Sequence, residues 1–140
     1  MIEIFKAEAI LSLSLPIYLE SVQAGFPSPA ENYLDKTLDL NELLITHPAA
    51  TFFVRVAGDS MQNGGISSGD ILIVDRSIEA TDNRIIVAIV GGEFTVKRLK
   101  MGEGRISLVP ENPAYPILEI KEESDFQVWG VVTYVIHKAT

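Results

Sequence analysis

The chain has 140 residues, 47% hydrophobic and 21% charged, which suits one globular domain with a modest tail better than two domains. Its formal net charge of −8 repels phosphate backbones, so no direct nucleic-acid binding is expected. There are no cysteines, which excludes disulfides, thiolate metal sites and cysteine nucleophiles.

The chain opens with Ile2, Ile4 and Phe5, followed by a mainly apolar run at 7–15. Glu3, Lys6 and Glu8 interrupt it and Pro16 ends it, so it is too short to span a bilayer. The first charge is Glu3, whereas a secretory signal begins with basic residues. No membrane association and a cytoplasmic location are the expectations. Pro16, Pro27 and Pro29, with the stretch Ala24-Gly25-Phe26-Pro27-Ser28-Pro29-Ala30, resist both helix and central strand. Residues 1–38 therefore read as an extended N-terminal arm, and 39–140 as a β domain. Extended segments are what proteases bind, because a strand-like substrate pairs its backbone with a sheet edge.

Asp39, with Glu42 three residues later, resembles a capping box and predicts a short helix, which Pro48 limits. From Thr51 onward the pattern is β. Short apolar runs occur at 52–56, 71–74, 85–90, 94–99, 106–109, 117–120 and 128–136. Gly91-Gly92 between the third and fourth runs predicts a two-residue hairpin. Many short strands with little helix between them predict a mostly β fold, a sandwich or partly open barrel.

Gly58-Asp59-Ser60-Met61 follows the first of these runs, in a loop that continues to Gly64-Gly65-Ile66. A serine on such a turn presents a hydroxyl and its own backbone N–H together, a nucleophile and an oxyanion donor. In a Gly-rich loop serine is also ordinary turn chemistry. A nucleophile needs a base. His47 and His137 lie in no triad motif and read as surface residues. Lys97 sits in the strand after the hairpin and shares a face with Thr95 and Leu99, with apolar residues beside it. Such a lysine either snorkels to water from a sheet edge or is buried and driven neutral, the form a base requires. Asp59, Asp70 and Asp75 have no metal-site spacing, and Asp70 and Asp75 bracket a strand as turn residues do. No metal and no cofactor are expected, and no Gly-rich phosphate loop is present.

Gly58-Asp59-Ser60-Met61, Gly65-Ile66, Gly69-Asp70 with 71–74, and Glu93-Phe94-Thr95-Val96-Lys97-Arg98 together resemble the LexA/UmuD self-cleaving family. The likeness extends over residues 22–135, including Gly25-Phe26-Pro27-Ser28-Pro29-Ala30, His47-Pro48 and Gly130-Val131-Val132. It implies a LexA/UmuD-like β fold with Ser60 as nucleophile, Lys97 as general base and Ala24–Gly25 as the bond cut. Ala-Gly is the pair used by LexA-type repressors. The absence of a helix-turn-helix pattern points to the UmuD type rather than to the repressors. The resemblance further implies an SOS-response role. A RecA filament on single-stranded DNA would promote cleavage, and the trimmed homodimer would serve a UmuC-type translesion polymerase. Two rivals stand beside it: a signal peptidase, which carries a membrane anchor, and a docking module in which Ser60 and Lys97 do no chemistry.

Overall fold

The computed structural model describes residues 2–6, 14–18 and 34–140. In chain order the strands are β1 (Ile2–Lys6), β2 (Ser14–Tyr18) and β3 (Leu34–Asp39). The helix α1 (Leu40–Leu44) follows, then β4 (Thr51–Val56), β5 (Ile71–Asp75), β6 (Ile85–Val90) and β7 (Glu93–Gly102). The chain ends with β8 (Arg105–Val109), β9 (Leu118–Ile120) and β10 (Phe126–Ile136). The chain divides into two compact units, one of Met1–Glu8 with His47–Thr140 and the other of Ala9–Thr46.

In the smaller unit β2 and β3 form a two-stranded antiparallel sheet with Pro16 opposite Thr37. Pro16 is tolerated because each strand there pairs on one side only. At the start of α1, Asp39 accepts a hydrogen bond from the Asn41 N–H at 2.9 Å, the capping that the sequence predicts. Three strands thus precede Thr51, where composition predicts only an extended arm.

The larger unit is one eight-stranded sheet in the order β1-β4-β5-β10-β6-β7-β8-β9. The fold is mostly β, as the sequence predicts. Both faces of its central strands are apolar. On β6, Val87 joins a core cluster with Val54, Met61, Ile66, Leu72 and Val74, while Ile86 and Ala88 join a second with Leu99, Leu108 and Val131. This double burial is why β6 reads as a continuous apolar run rather than an alternating one. Gly91 and Gly92 both have positive φ, +56° and +81°, and turn β6 into β7 as the hairpin signal requires. β7 runs past the predicted end at Leu99 because Glu103 and Gly104, also at positive φ, turn it directly into β8. No helix among the described residues is long and apolar enough to cross a membrane.

Asp70 and Asp75 bracket β5 as turn residues do: Asp70 Oδ2 accepts from the Ser67 N–H and Asp75 Oδ1 from the Ser77 N–H, each at 2.8 Å. Both are buried, at opposite ends of β5. Asp70 Oδ1 lies 2.6 Å from His137 Nδ1 and Asp75 Oδ2 lies 2.5 Å from His47 Nδ1. The histidines themselves are exposed. Burial works to raise the Asp75 pKa, but hydrogen bonds from Ser77 and His47 outweigh it and hold the carboxyl below the ordinary range. A carboxylate depressed in the fold contributes stability that is present above its unfolded pKa, about 3.9, and lost as pH falls through the folded value. Asp75→Asn is therefore expected to lower stability at pH 7 by about 1–3 kcal/mol. Urea unfolding of both proteins checks this: the gap between them must narrow as the pH falls below 4, and a constant gap would refute the assignment.

Candidate active site

β4 leads straight into the loop that carries Ser60. Backbone bonds from the Gly69 N–H to the Val56 carbonyl (2.7 Å) and from the Val56 N–H to the Asp70 carbonyl (2.9 Å) close the base of that loop. The Gly58 N–H donates to Ser68 Oγ at 3.1 Å across it. Met61 and Ile66 are buried in the core and anchor the loop from below. Asp59 is exposed, so Ser60 sits half-buried between an anchored neighbour and a solvated one.

A second segment clasps the same loop from outside. The Glu111 N–H donates to the Ser60 carbonyl at 2.9 Å, and the Asn63 N–H donates to the Glu111 carbonyl at 2.8 Å. Asn112 Nδ2 donates to the Asp59 carbonyl at 3.0 Å, and the Tyr115 hydroxyl donates to Asp59 Oδ1 at 2.5 Å. The Glu111 side chain runs over Gly64, where an added Cβ would lie 2.7 Å from Glu111 Cγ. That approach explains why glycine is needed at 64. Glu111 is in turn ion-paired with Arg98.

Arg98 and Lys97 are neighbours on β7. Lys97 Nζ lies 3.1 Å from Ser60 Oγ, 2.8 Å from Thr95 Oγ1 and 3.0 Å from the Val96 carbonyl oxygen. Thr95 and Lys97 lie on one face of the strand, so the lysine folds back along β7 rather than reaching out to water. All three partners are neutral. Burial pushes the Lys97 ammonium below its ordinary pKa range. The two strands β4 and β7 thus bring together Ser60 and Lys97, 37 residues apart in the chain.

The Ser60 N–H has no hydrogen-bond partner among the described residues, which leaves it available to a ligand oxygen. Ala24 and Gly25 lie outside the described residues. Neither histidine bonds Ser60; each is engaged with its own aspartate. Among the described residues no group of three or more His, Asp or Glu gathers as a metal site. The clasp formed by Glu111, Asn112 and Tyr115 is beyond sequence reasoning. Nothing in the spacing of Glu111-Asn112-Pro113 ties it to a serine some fifty residues earlier.

A protein-family model described as "Peptidase S24-like" matches residues 16–133, a span that contains the 24–25 bond, Ser60 and Lys97. Protein SamA of Salmonella typhimurium is 50% identical over 123 residues, covering 88% of this chain and 85% of SamA. Protein MucA of Escherichia coli is 43% identical over 95% of this chain and 92% of MucA. A LexA repressor of Paracidovorax citrulli is 39% identical over 91% of this chain but 56% of the repressor.

Proposed function

Because the chain belongs to the peptidase S24-like family, we propose that it is a self-cleaving serine endopeptidase. Ser60, with Lys97 as its base, cuts the Ala24–Gly25 bond in an arm of residues 1–38, and residues 39–140 form the catalytic and dimerising β domain. The observation that carries this reading is a half-buried lysine whose hydrogen-bond partners among the described residues are all neutral, 3.1 Å from a serine hydroxyl. A lysine placed for structure would be paired with a carboxylate or turned to water.

Neutral Lys97 accepts the Ser60 proton as Oγ attacks the Ala24 carbonyl carbon. The Ser60 N–H donates to the oxyanion that forms. Collapse breaks the C–N bond, and the Gly25 amine leaves with the proton held by Lys97. Water, deprotonated by Lys97, then hydrolyses the acyl group and restores Ser60. A tethered substrate needs no tight binding pocket, since its effective concentration is already high.

Beyond the cut, the reading places the protein in the cytoplasm and in the SOS response. A RecA filament on single-stranded DNA would favour the rarely populated competent state and so raise the rate. The trimmed homodimer would act as accessory subunit of a UmuC-type translesion polymerase. The similarity to SamA and MucA over most of their lengths supports the UmuD type.

Intact-protein mass spectrometry after incubation at pH 10 tests the chemistry. New masses that sum to the chain plus one water, with the break between Ala24 and Gly25, are expected. A break elsewhere, or none even with RecA filament added, would overturn the reading. Arg98 supplies a separate check on the site's construction. Arg98→Ala frees Glu111, which holds the Ser60 loop, and displacements of about 1 Å can cost about 10²-fold. A fall in cleavage rate of roughly ten- to a hundredfold is expected, with a pH profile of unchanged shape.

A further inference from the structure

The eight-stranded sheet has two ends, β1 and β9. β9 is three residues long, a short edge of the kind that resists further pairing. β1 is different. It lies alongside β4 in five antiparallel pairs, from Ile2 opposite Val56 to Lys6 opposite Phe52. Ile4 packs against the core cluster that holds Val54, Val56 and Met61. Without β1, the edge of the sheet would be β4, Thr-Phe-Phe-Val-Arg-Val, six residues with one charge and no proline. A long apolar edge of that kind is a template for strand addition.

The bond between Ala24 and Gly25 lies in sequence between β1 and β4. Before the cut, β1 is covalently tied to the edge it covers. A tether of this sort holds a segment at an effective concentration on the order of millimolar. A competing strand at micromolar concentration then has almost no occupancy. After the cut β1 belongs to a separate 24-residue fragment, and it competes only at the concentration of that fragment.

We propose that cleavage turns β1 from a fixed cap into an exchangeable strand and so opens the β4 edge to an extended segment of a partner protein. This inference rests on the proposed cut at Ala24–Gly25. β1 itself gives the chemistry such a partner strand would carry. It needs an apolar residue opposite Val54, where Ile4 stands, and an acidic residue opposite Arg55, where Glu3 stands. Because β4 runs directly into the Ser60 loop, the docked strand would end beside the spent active site.

The test separates this inference from self-cleavage by using another enzyme to cut. A Ser60→Ala chain is made with a recognition sequence for an unrelated site-specific protease between Ala24 and Gly25. Cut and uncut protein at micromolar concentration each receive an excess of labelled synthetic peptide of residues 1–24, and native mass spectrometry and amide exchange across Thr51–Val56 are followed. The cut protein is expected to take up the label at least about tenfold more than the uncut protein, with β4 amides protected by the added peptide. A peptide carrying Ile4→Asp is expected to lose uptake, because the strand's core contact is gone. Equal uptake by uncut protein, no uptake by cut protein, or undiminished uptake of the Ile4→Asp peptide would each overturn the proposal. The last result would mean that β2, which pairs with β3, holds the fragment and that the β4 edge stays closed.

Discussion

Ser60→Ala is expected to reduce self-cleavage at pH 10 by roughly 10⁴-fold or more, the scale at which loss of a serine nucleophile acts. The thermal midpoint is expected to stay within about 2 °C of the parent, because no buried group loses its last partner. The Ser60 side chain contacts Lys97 Nζ, and Lys97 keeps Thr95 Oγ1 and the Val96 carbonyl when Oγ is removed. The loop itself is held by backbone bonds and by Met61 and Ile66, which the substitution leaves untouched. Intact mass against time and a thermal melt, taken on one preparation, make the decisive pair. Cleavage that persists at the parent rate would remove Ser60 from the chemistry. Cleavage lost together with the fold would leave the nucleophile assignment without support, and Ser60→Cys, which keeps a nucleophile in place, would then be required to restore a measurable rate.

Sequence pattern reached the strands after Thr51 because each is a short apolar run, most of them followed within a few residues by glycine, aspartate or proline. β6 and the Gly91-Gly92 turn agree with the pattern closely, since a hairpin of this kind is a local property of two residues. β1 to β3 escaped it for the opposite reason. Charged residues break the apolar pattern, Glu3 and Lys6 in β1 and Asp35 and Lys36 in β3, and Pro16 within β2 argues against a strand until its one-sided pairing is seen. The site divides in the same way. Thr95 and Lys97 share a strand face, so alternation alone places them together. The approach of Lys97 to Ser60 is tertiary, and only the resemblance to a known family joined the two in advance. Glu111 and its link to Arg98 had no such guide. The buried states of Asp70 and Asp75 also depend on distant groups, His137 and His47, which a local turn reading has no means to supply.

The second large effect concerns pH. A free lysine has a pKa of about 10.4 and is neutral in about one molecule in 2,500 at pH 7. Burial lowers the Lys97 value, so the neutral fraction is higher and saturates earlier. The cleavage rate is expected to rise about tenfold per pH unit below the Lys97 pKa and to level off before about pH 10.4. A rate that is flat from pH 7 to 10 would count against a lysine base. Lys97→Arg separates proton transfer from mere positive charge. The guanidinium stays protonated at every accessible pH and cannot accept the Ser60 proton, so activity should vanish and the rise with pH should vanish with it. Stability gives a second reading of the same group. A lysine whose pKa is depressed in the fold binds its proton more tightly when unfolded, so stability must rise with pH between the folded value and the ordinary one. This sign is that of a base favoured neutral, and it can be read in the uncleavable Ser60→Ala chain against Ser60→Ala/Lys97→Met. If that rise begins at the pH where the parent's cleavage rate flattens, one titrating amine accounts for both, and the base is Lys97 in the folded, uncut chain. If the two pH values fall well apart, the group that limits cleavage is some other one.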